Sequence, residues 1–351
     1  MSGPGGRPTV LVLRALGLGD LLTGVPALRA LRRHYRDHEI VLAAPARLGP
    51  AVRATGCADR LLPTRATGRE VPQSLAWDGP PPEVAVDLHG DGPASRAVLA
   101  ELRPARLIAY APAGADPTAA PGRPEDQHGH TREHEHEHER DRWCRLLRRH
   151  HIHADPADLR IERPTASSPA PGAIVLHPGA DAVSRQWPAD RFAAVARALL
   201  RDGRPVVVTA GAGERARAEE VARGAGLPPA AVLGGTDDLP FAVLAALVAD
   251  ARAVVSGDTG VAHLASALGA PSVTLFGPIS PALWGPPADA RHIALWRPDP
   301  DGGSRPGDAH GTVPDPRLLR VGPADVLAAL ATLPAPPPDP RGSGLCTPAR
   351  P

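Results

Sequence analysis

The chain contains no lysine and no asparagine, one methionine and only three cysteines among its 351 residues. Every permanent positive side chain is therefore an arginine, and any base that grips a phosphate must be one. Its planar guanidinium suits two-point contact with phosphate oxygens. So strong a bias toward Arg, Ala and Pro touches every position, which lowers the meaning of any one arginine cluster. Cys57, Cys144 and Cys346 are odd in number and far apart. They form neither a disulfide framework nor a metal-site spacing, and they fit a reducing compartment. A large charge of one sign is missing too. The formal net charge is +1, which excludes a global field that recruits nucleic acid or an acidic membrane. Residues 1–8 hold no apolar core of signal-peptide type. No stretch approaches the ~20 apolar residues needed to span a bilayer. These absences predict a soluble, cytoplasmic protein without a transmembrane segment, and the length is enough for two domains of ordinary size.

What is present is organised around residues 253–277. Ala253-Val254-Val255 and Ser272-Val273-Thr274-Leu275-Phe276 are short apolar runs of strand type, and Gly269 followed by Pro271 stops a helix between them. A short helix between two buried strands is a βαβ unit, which predicts a parallel sheet. Asp258 is expected as the N-cap of that helix. Its free amides, at Thr259, Gly260 and Val261, open past a strand's carboxyl end, where α/β sheets bind ligands and where a diphosphate is favoured. A carboxylate capping the same amides would repel a phosphate. Asp258 is therefore either a plain cap or a partner for neutral sugar hydroxyls.

Taken in order, Thr9 to Arg14 is a buried strand that runs into a turn with Gly17 and Gly19, followed by a helix carrying Leu21, Val25, Leu28 and Leu31 on one face. Pro26 either kinks that helix or begins its regular part. Strands follow at 39–43, 83–88 and 106–109, with a helix at 94–102, and complete a first Rossmann-like half. The Gly17-x-Gly19 turn lacks the third glycine of a dinucleotide fingerprint, so a dehydrogenase is disfavoured. Residues 111–126 read as a Pro/Ala/Gly-rich loop, and 128–140 as an alternating His/Glu tract on a solvated helix. On a helix His134 and His138 would share a face, a spacing that can bind metal; the strict alternation favours low complexity. A second half restarts at Ala173 and carries His177-Pro178-Gly179-Ala180, Arg185-Gln186-Trp187-Pro188 and Gly211-Ala212-Gly213-Glu214 ahead of successive helices. The expected domains are 1–165 and 172–333, with a disordered Pro-rich tail at 334–351.

Three motifs in this order resemble glycosyltransferase family 9, the heptosyltransferase family of lipopolysaccharide core assembly. They are Gly17-Leu18-Gly19-Asp20-Leu21-Leu22 running on to Pro26-Ala27-Leu28, His177-Pro178-Gly179-Ala180 leading to Arg185-Gln186-Trp187-Pro188, and Asp258-Thr259-Gly260-Val261-Ala262-His263-Leu264 with Leu275-Phe276-Gly277-Pro278. The resemblance implies α/β domains in a GT-B architecture: two Rossmann-like, doubly wound domains facing across a cleft, the acceptor mainly on the first and the nucleotide sugar mainly on the second. It implies an inverting glycosyltransferase that moves a sugar, a heptose for these relatives, from an ADP-activated donor to a glycan, glycolipid or small-molecule hydroxyl. No cofactor and no metal are implied, and the enzyme would be cytoplasmic or peripheral at a membrane.

Residue by residue, the resemblance makes Asp20 the catalytic base and Arg185 the diphosphate-binding side chain. Thr259 and Gly260 supply backbone contacts to the phosphates, Asp258 turns to the sugar hydroxyls, and Glu214 contacts the nucleotide ribose. His263 is left between packing and donor contact, while Gly17, Gly19 and Gly179 shape the turns. The chemistry is consistent, because displacement at an anomeric carbon needs a base for the incoming hydroxyl and positive potential on the departing diphosphate. His89-Gly90-Asp91 resembles the family's D-L-H-G loop loosely, and 297–320 lacks the cysteines of some relatives, which leaves the acceptor open. Two rival classes use the same residues: a nucleotide-sugar epimerase on the same fold, and a non-catalytic sugar-nucleotide-binding protein. Asp20 in the first half weighs against the former, and the pairing of Asp20 with Arg185 against the latter.

Overall fold

The structure, a computed structural model, describes residues 6–65, 69–110, 137–299 and 307–335. The chain divides into two compact units, Met1–Glu162 with Ser280–Gly285, and Arg163–Ile279 with Pro286–Pro351. The loop expected at 111–126, most of the His/Glu tract, the end of the Pro-rich tail and Cys346 lie outside the described residues.

The first unit is built on strands β1 (Thr9–Leu13), β2 (Glu39–Pro45), β3 (Arg60–Thr64), β4 (Val84–Asp87) and β5 (Arg106–Ile108). They form a parallel sheet in the order β3-β2-β1-β4-β5. The central strands are near-continuous Val, Leu and Ala because both sheet faces are covered. After β1 the chain turns into helix Leu18–Thr23, breaks at Gly24, and resumes as helix Val25–His34 with Pro26 in its first turn. Pro26 thus starts a helix, where its missing N–H costs nothing. Leu21, Val25, Leu28 and Leu31 are all buried, as the periodicity predicts. Each contributes about 1.5–3 kcal/mol of transfer free energy. Strand β3 escapes a sequence reading for a physical reason: it is an edge strand, largely exposed, and tolerates Pro63 there.

The second unit holds β6 (Ile174–His177), β7 (Val206–Ala210), β8 (Val232–Gly234), β9 (Ala253–Gly257), β10 (Ser272–Leu275) and β11 (His292–Leu295), also parallel, in the order β11-β10-β9-β6-β7-β8. Its core is anchored by Trp187, which meets Phe192 edge to face at 4.9 Å and donates its indole N–H to the Val321 carbonyl at 2.9 Å. No helix among the described residues is long and apolar enough to cross a membrane.

Both sheets share one topological feature that positions the candidate residues. In the first, the chain builds outward from β1 through β2 to β3, then returns to the other side of β1 with β4 and β5. In the second, β6, β7 and β8 run one way, and β9 returns beside β6. The strand order therefore reverses between β1 and β4, where Leu13 lies opposite Asp87, and between β6 and β9, where His177 lies opposite Ser256. Crevices at the carboxyl ends of such reversals are the ligand-binding places of open α/β sheets.

Two expectations need correction. The N-cap of helix Gly260–Leu268 is Thr259, not Asp258, and its side chain makes no capping bond. The described end of the His/Glu tract is not a solvated helix either. His138 is extended and N-caps helix Glu139–Arg149, accepting from the Arg140 N–H at 3.1 Å, while Glu139 is buried and tied into the first unit's interior. His138 thus precedes this helix, and His134, with which a shared helical face was expected, lies outside the described residues. Trp143, Leu146 and Leu147 are buried, as expected for a docked helix.

Candidate active site

At the first reversal, helix Leu18–Thr23 opens directly after β1 and carries Asp20 in its first turn. The residue is 6% exposed. Its Oδ2 accepts from the Gly17 N–H at 3.2 Å, and its Oδ1 lies 3.1 Å from an Arg69 guanidinium nitrogen. Gly17 and Gly19 do not take left-handed conformations. Gly19 lies inside the helix, and Gly17 is the extended N-cap whose N–H meets the carboxylate. Across the reversal stands His89, whose Nδ1 accepts from the Ala15 N–H at 3.1 Å, which puts the neutral ring's proton on Nε2. Burial first, then the nearby Arg14 cation, push the imidazole pKa down to about 4. His89 is therefore uncharged at neutral pH. Asp87 is buried beneath it, accepting from the His89 N–H at 2.9 Å and the Gly90 N–H at 3.4 Å, and burial raises its carboxyl above the usual range.

At the second reversal two clusters form. Arg185 ends a short 3-10 turn, and its Nη1 donates to the Asp258 carbonyl at 3.3 Å. Its Nε is buried without a hydrogen-bond partner among the described residues, as are the hydroxyls of Ser184, Ser256 and Thr259. The backbones interlock here: a Cβ on Gly257 would stand 3.0 Å from the Arg185 carbonyl oxygen. The Asp258 carboxylate points to the His263 Nε2, 3.4 Å away, so the opening amides of helix Gly260–Leu268 are not spent on it. Asp181, 3.6 Å from Arg185, is 97% exposed and contributes little.

The other cluster surrounds Glu214, the N-cap of helix Arg215–Ala225. Its Oε2 accepts from the Gly211 N–H at 2.8 Å. The same carboxylate lies so close over Gly179 that a Cβ there would fall 2.0 Å from it. A side chain at 179, whose φ is not left-handed, would have to push the Glu214 carboxylate aside. His177 Nδ1 is 3.1 Å from the Thr209 hydroxyl, its Nε2 is 4.0 Å from Glu214, and burial lowers its pKa. Arg217 straps this cluster to the Trp187 segment, donating to the Pro178 carbonyl at 2.8 Å and also to the Trp187 carbonyl.

Residues 147–301 match the family model described as Glycosyltransferase family 9 (heptosyltransferase). Over this stretch, less than half of its length, the chain is similar to that family. It is 39% identical over 132 residues to the lipopolysaccharide heptosyltransferase 1 of Pseudomonas aeruginosa, a stretch that covers 36% of each chain. The match thus spans about a third of that relative's length. In fold, the chain is similar to a family 9 glycosyl transferase from Veillonella parvula, with a TM-score of 0.69 at 19% identity over 93% of this chain and 96% of that one. It is also similar to the ADP-heptose LPS heptosyltransferase II of E. coli, with a TM-score of 0.64 at 18% identity over 92% and 97%. The fold is the expected α/β, GT-B class, with two parallel-sheet units.

The predicted residues fall into three groups. Arg185, Asp258, Thr259, Gly260 and His263 come together at one strand end of the second unit, and Glu214 with Gly179 gather beside His177 in the same unit. Asp20, Gly17 and Gly19 stand in the first. A sequence reading missed Arg14, Arg69, His177, Arg217 and the unpartnered hydroxyls of Ser184 and Ser256, and gave Asp87 and His89 no role. Some of these carried a visible signal: Arg14 as a charged residue closing an apolar strand, His177 as the opening of a quoted motif, and Asp87-Leu88-His89-Gly90 as a polar run at another strand's end.

Proposed function

We propose that this protein is an inverting glycosyltransferase that transfers a sugar, a heptose by analogy with its relatives, from an ADP-activated donor to an acceptor hydroxyl of a glycan or glycolipid. The observation that carries the proposal is the set of buried polar atoms around Arg185 without partners among the described residues. A buried polar group left unmade costs about 1–3 kcal/mol. A guanidinium Nε, the hydroxyls of Ser184 and Thr259 and the free amides opening a nine-residue helix together suit a doubly charged diphosphate. Glu214 then accepts from a ribose hydroxyl, and Asp258, turned from the amides and steadied by His263, accepts from sugar hydroxyls. The P. aeruginosa and E. coli proteins are named for heptose transfer, and the latter for ADP-heptose.

In the first unit Asp20 serves as general base. It takes the proton of the acceptor hydroxyl as that oxygen attacks the anomeric carbon, the bond to the diphosphate breaks, and ADP leaves with inversion. Arg185 and the helix amides stabilise the charge that develops on the leaving diphosphate. The assignment of acceptor chemistry to the first unit and donor binding to the second belongs to this proposal, as does a cytoplasmic location, for which the two buried, free cysteines Cys57 and Cys144 are suited. Incubation with ADP-heptose, with and without heptose-deficient lipopolysaccharide, tests it. Acceptor-dependent ADP release is expected. Epimerised sugar without ADP, or binding without turnover, would contradict it.

A further inference from the structure

Among the described residues, Arg14 is the one arginine among the largest wholly buried side chains. It closes strand β1, and its guanidinium donates to the backbone carbonyls of Asp20 and Leu88, to the Thr23 hydroxyl at 3.1 Å and to Glu139 at 3.3 Å. The Thr23 hydroxyl in turn donates to the Asp20 carbonyl at 3.0 Å, so that carbonyl is held from two sides. Gly24 makes room for the arginine, since a Cβ there would stand 2.8 Å from its Nε. Glu139 supplies the counter-charge and is itself fixed by the Trp143 indole N–H at 2.7 Å, while the Arg14 guanidinium lies 5.3 Å from the Trp143 ring centre.

The two carbonyls belong to the two loops that flank the first reversal. Asp20 sits on the loop and helix after β1, and Leu88 immediately precedes His89 on the loop after β4. One rigid, planar fork bonding both fixes the spacing of these loops, which a lysine with a single point charge cannot do. We propose that Arg14 is a positioning residue for the Asp20 carboxylate, clamped in place by Glu139 and Trp143. This inference rests on Asp20 acting as the base. Its physical content is that a catalytic group displaced by about 1 Å loses on the order of 10²-fold in rate, while ligand affinity set elsewhere is untouched.

The test measures kcat, KM for ADP-heptose and thermal stability of Arg14→Lys, Thr23→Val and Asp20→Asn, with heptose-deficient lipopolysaccharide as acceptor. Thr23→Val keeps volume and removes only the hydroxyl that bridges Arg14 and Asp20, so it guards against a misfolded Arg14→Lys. We expect kcat per folded molecule to fall about 10–100-fold in Arg14→Lys and about 3–10-fold in Thr23→Val, with KM for ADP-heptose within about two-fold. Asp20→Asn impaired but both other variants normal in kcat, or lower only in melting temperature, overturns the positioning role alone. Normal turnover in Asp20→Asn, or none in the unaltered protein, removes the base assignment and this inference with it.

Discussion

The two strand-order reversals differ in how far their polar groups are already satisfied. At the first, Asp20 meets Gly17 and Arg69, His89 accepts from Ala15, and Arg14 is bonded on four sides. At the second, Arg185 Nε and three buried hydroxyls have no partner among the described residues. A site complete in itself suits a group that must be held in one orientation and exchange a proton. A site with unspent donors suits an anion that arrives and leaves. Under the proposed function the same topology serves two kinds of chemistry, distinguished by the state of the hydrogen bonds and not by the fold.

The largest effect expected to sharpen this contrast is in the first region. Asp20→Asn keeps the size and the bond to Gly17 but cannot take a proton, so kcat should fall about 10²–10⁴-fold. ADP affinity should stay unchanged. Asn caps helices about as well as Asp; near-normal turnover with normal melting temperature would return Asp20 to a structural role. The second region should respond in the opposite sense. Arg185→Ala should weaken ADP binding by about 1.5–3 kcal/mol, the range of a charge-assisted hydrogen bond, and titration calorimetry giving wild-type affinity would take Arg185 out of the donor site.

A third prediction uses the satisfied, neutral state of His89. Its folded pKa, about 4, lies below the unfolded value of about 6.5. Protonation therefore favours the unfolded chain, and stability is lost as pH falls from about 6.5 to 4. His89→Gln should remove that loss, about 2 kcal/mol after allowing for partial hydration. Asp87, whose pKa is raised by burial, acts in the opposite sense and is common to both proteins. Urea unfolding at pH 7 and pH 4 that gives equal losses for the two would show that His89 charges freely. The smallest effect concerns Gly179→Ala, whose methyl would strike the Glu214 carboxylate. Displacing that one acceptor should weaken ADP binding by about 1 kcal/mol, and an unchanged affinity would separate Glu214 from the nucleotide.

Much of this was legible in the residues. The apolar runs gave the central strands because parallel sheets bury both faces, and Gly17 to Asp20, Arg185 and Asp258 to Gly260 stand where strands end and helices begin. Other features were hidden for physical reasons. The cap at Thr259 was read as Asp258 because Asp is the better capping residue, and only the structure pairs that carboxylate with His263. Arg14 and Glu139 are 125 residues apart and meet only through packing. In a chain where every base is arginine, nothing marked Arg14 as buried. Glu139 was masked by the repeated Glu of the tract that precedes it.

The most direct test of the whole reading is the stereochemistry of transfer, followed by proton NMR of ADP-heptose with heptose-deficient lipopolysaccharide and the unaltered protein. Inverting transfer predicts loss of the donor's anomeric signal one for one with ADP formation, and a new glycosidic linkage of opposite configuration. A product that retains the donor's configuration, or a changed sugar still attached to ADP, would contradict it.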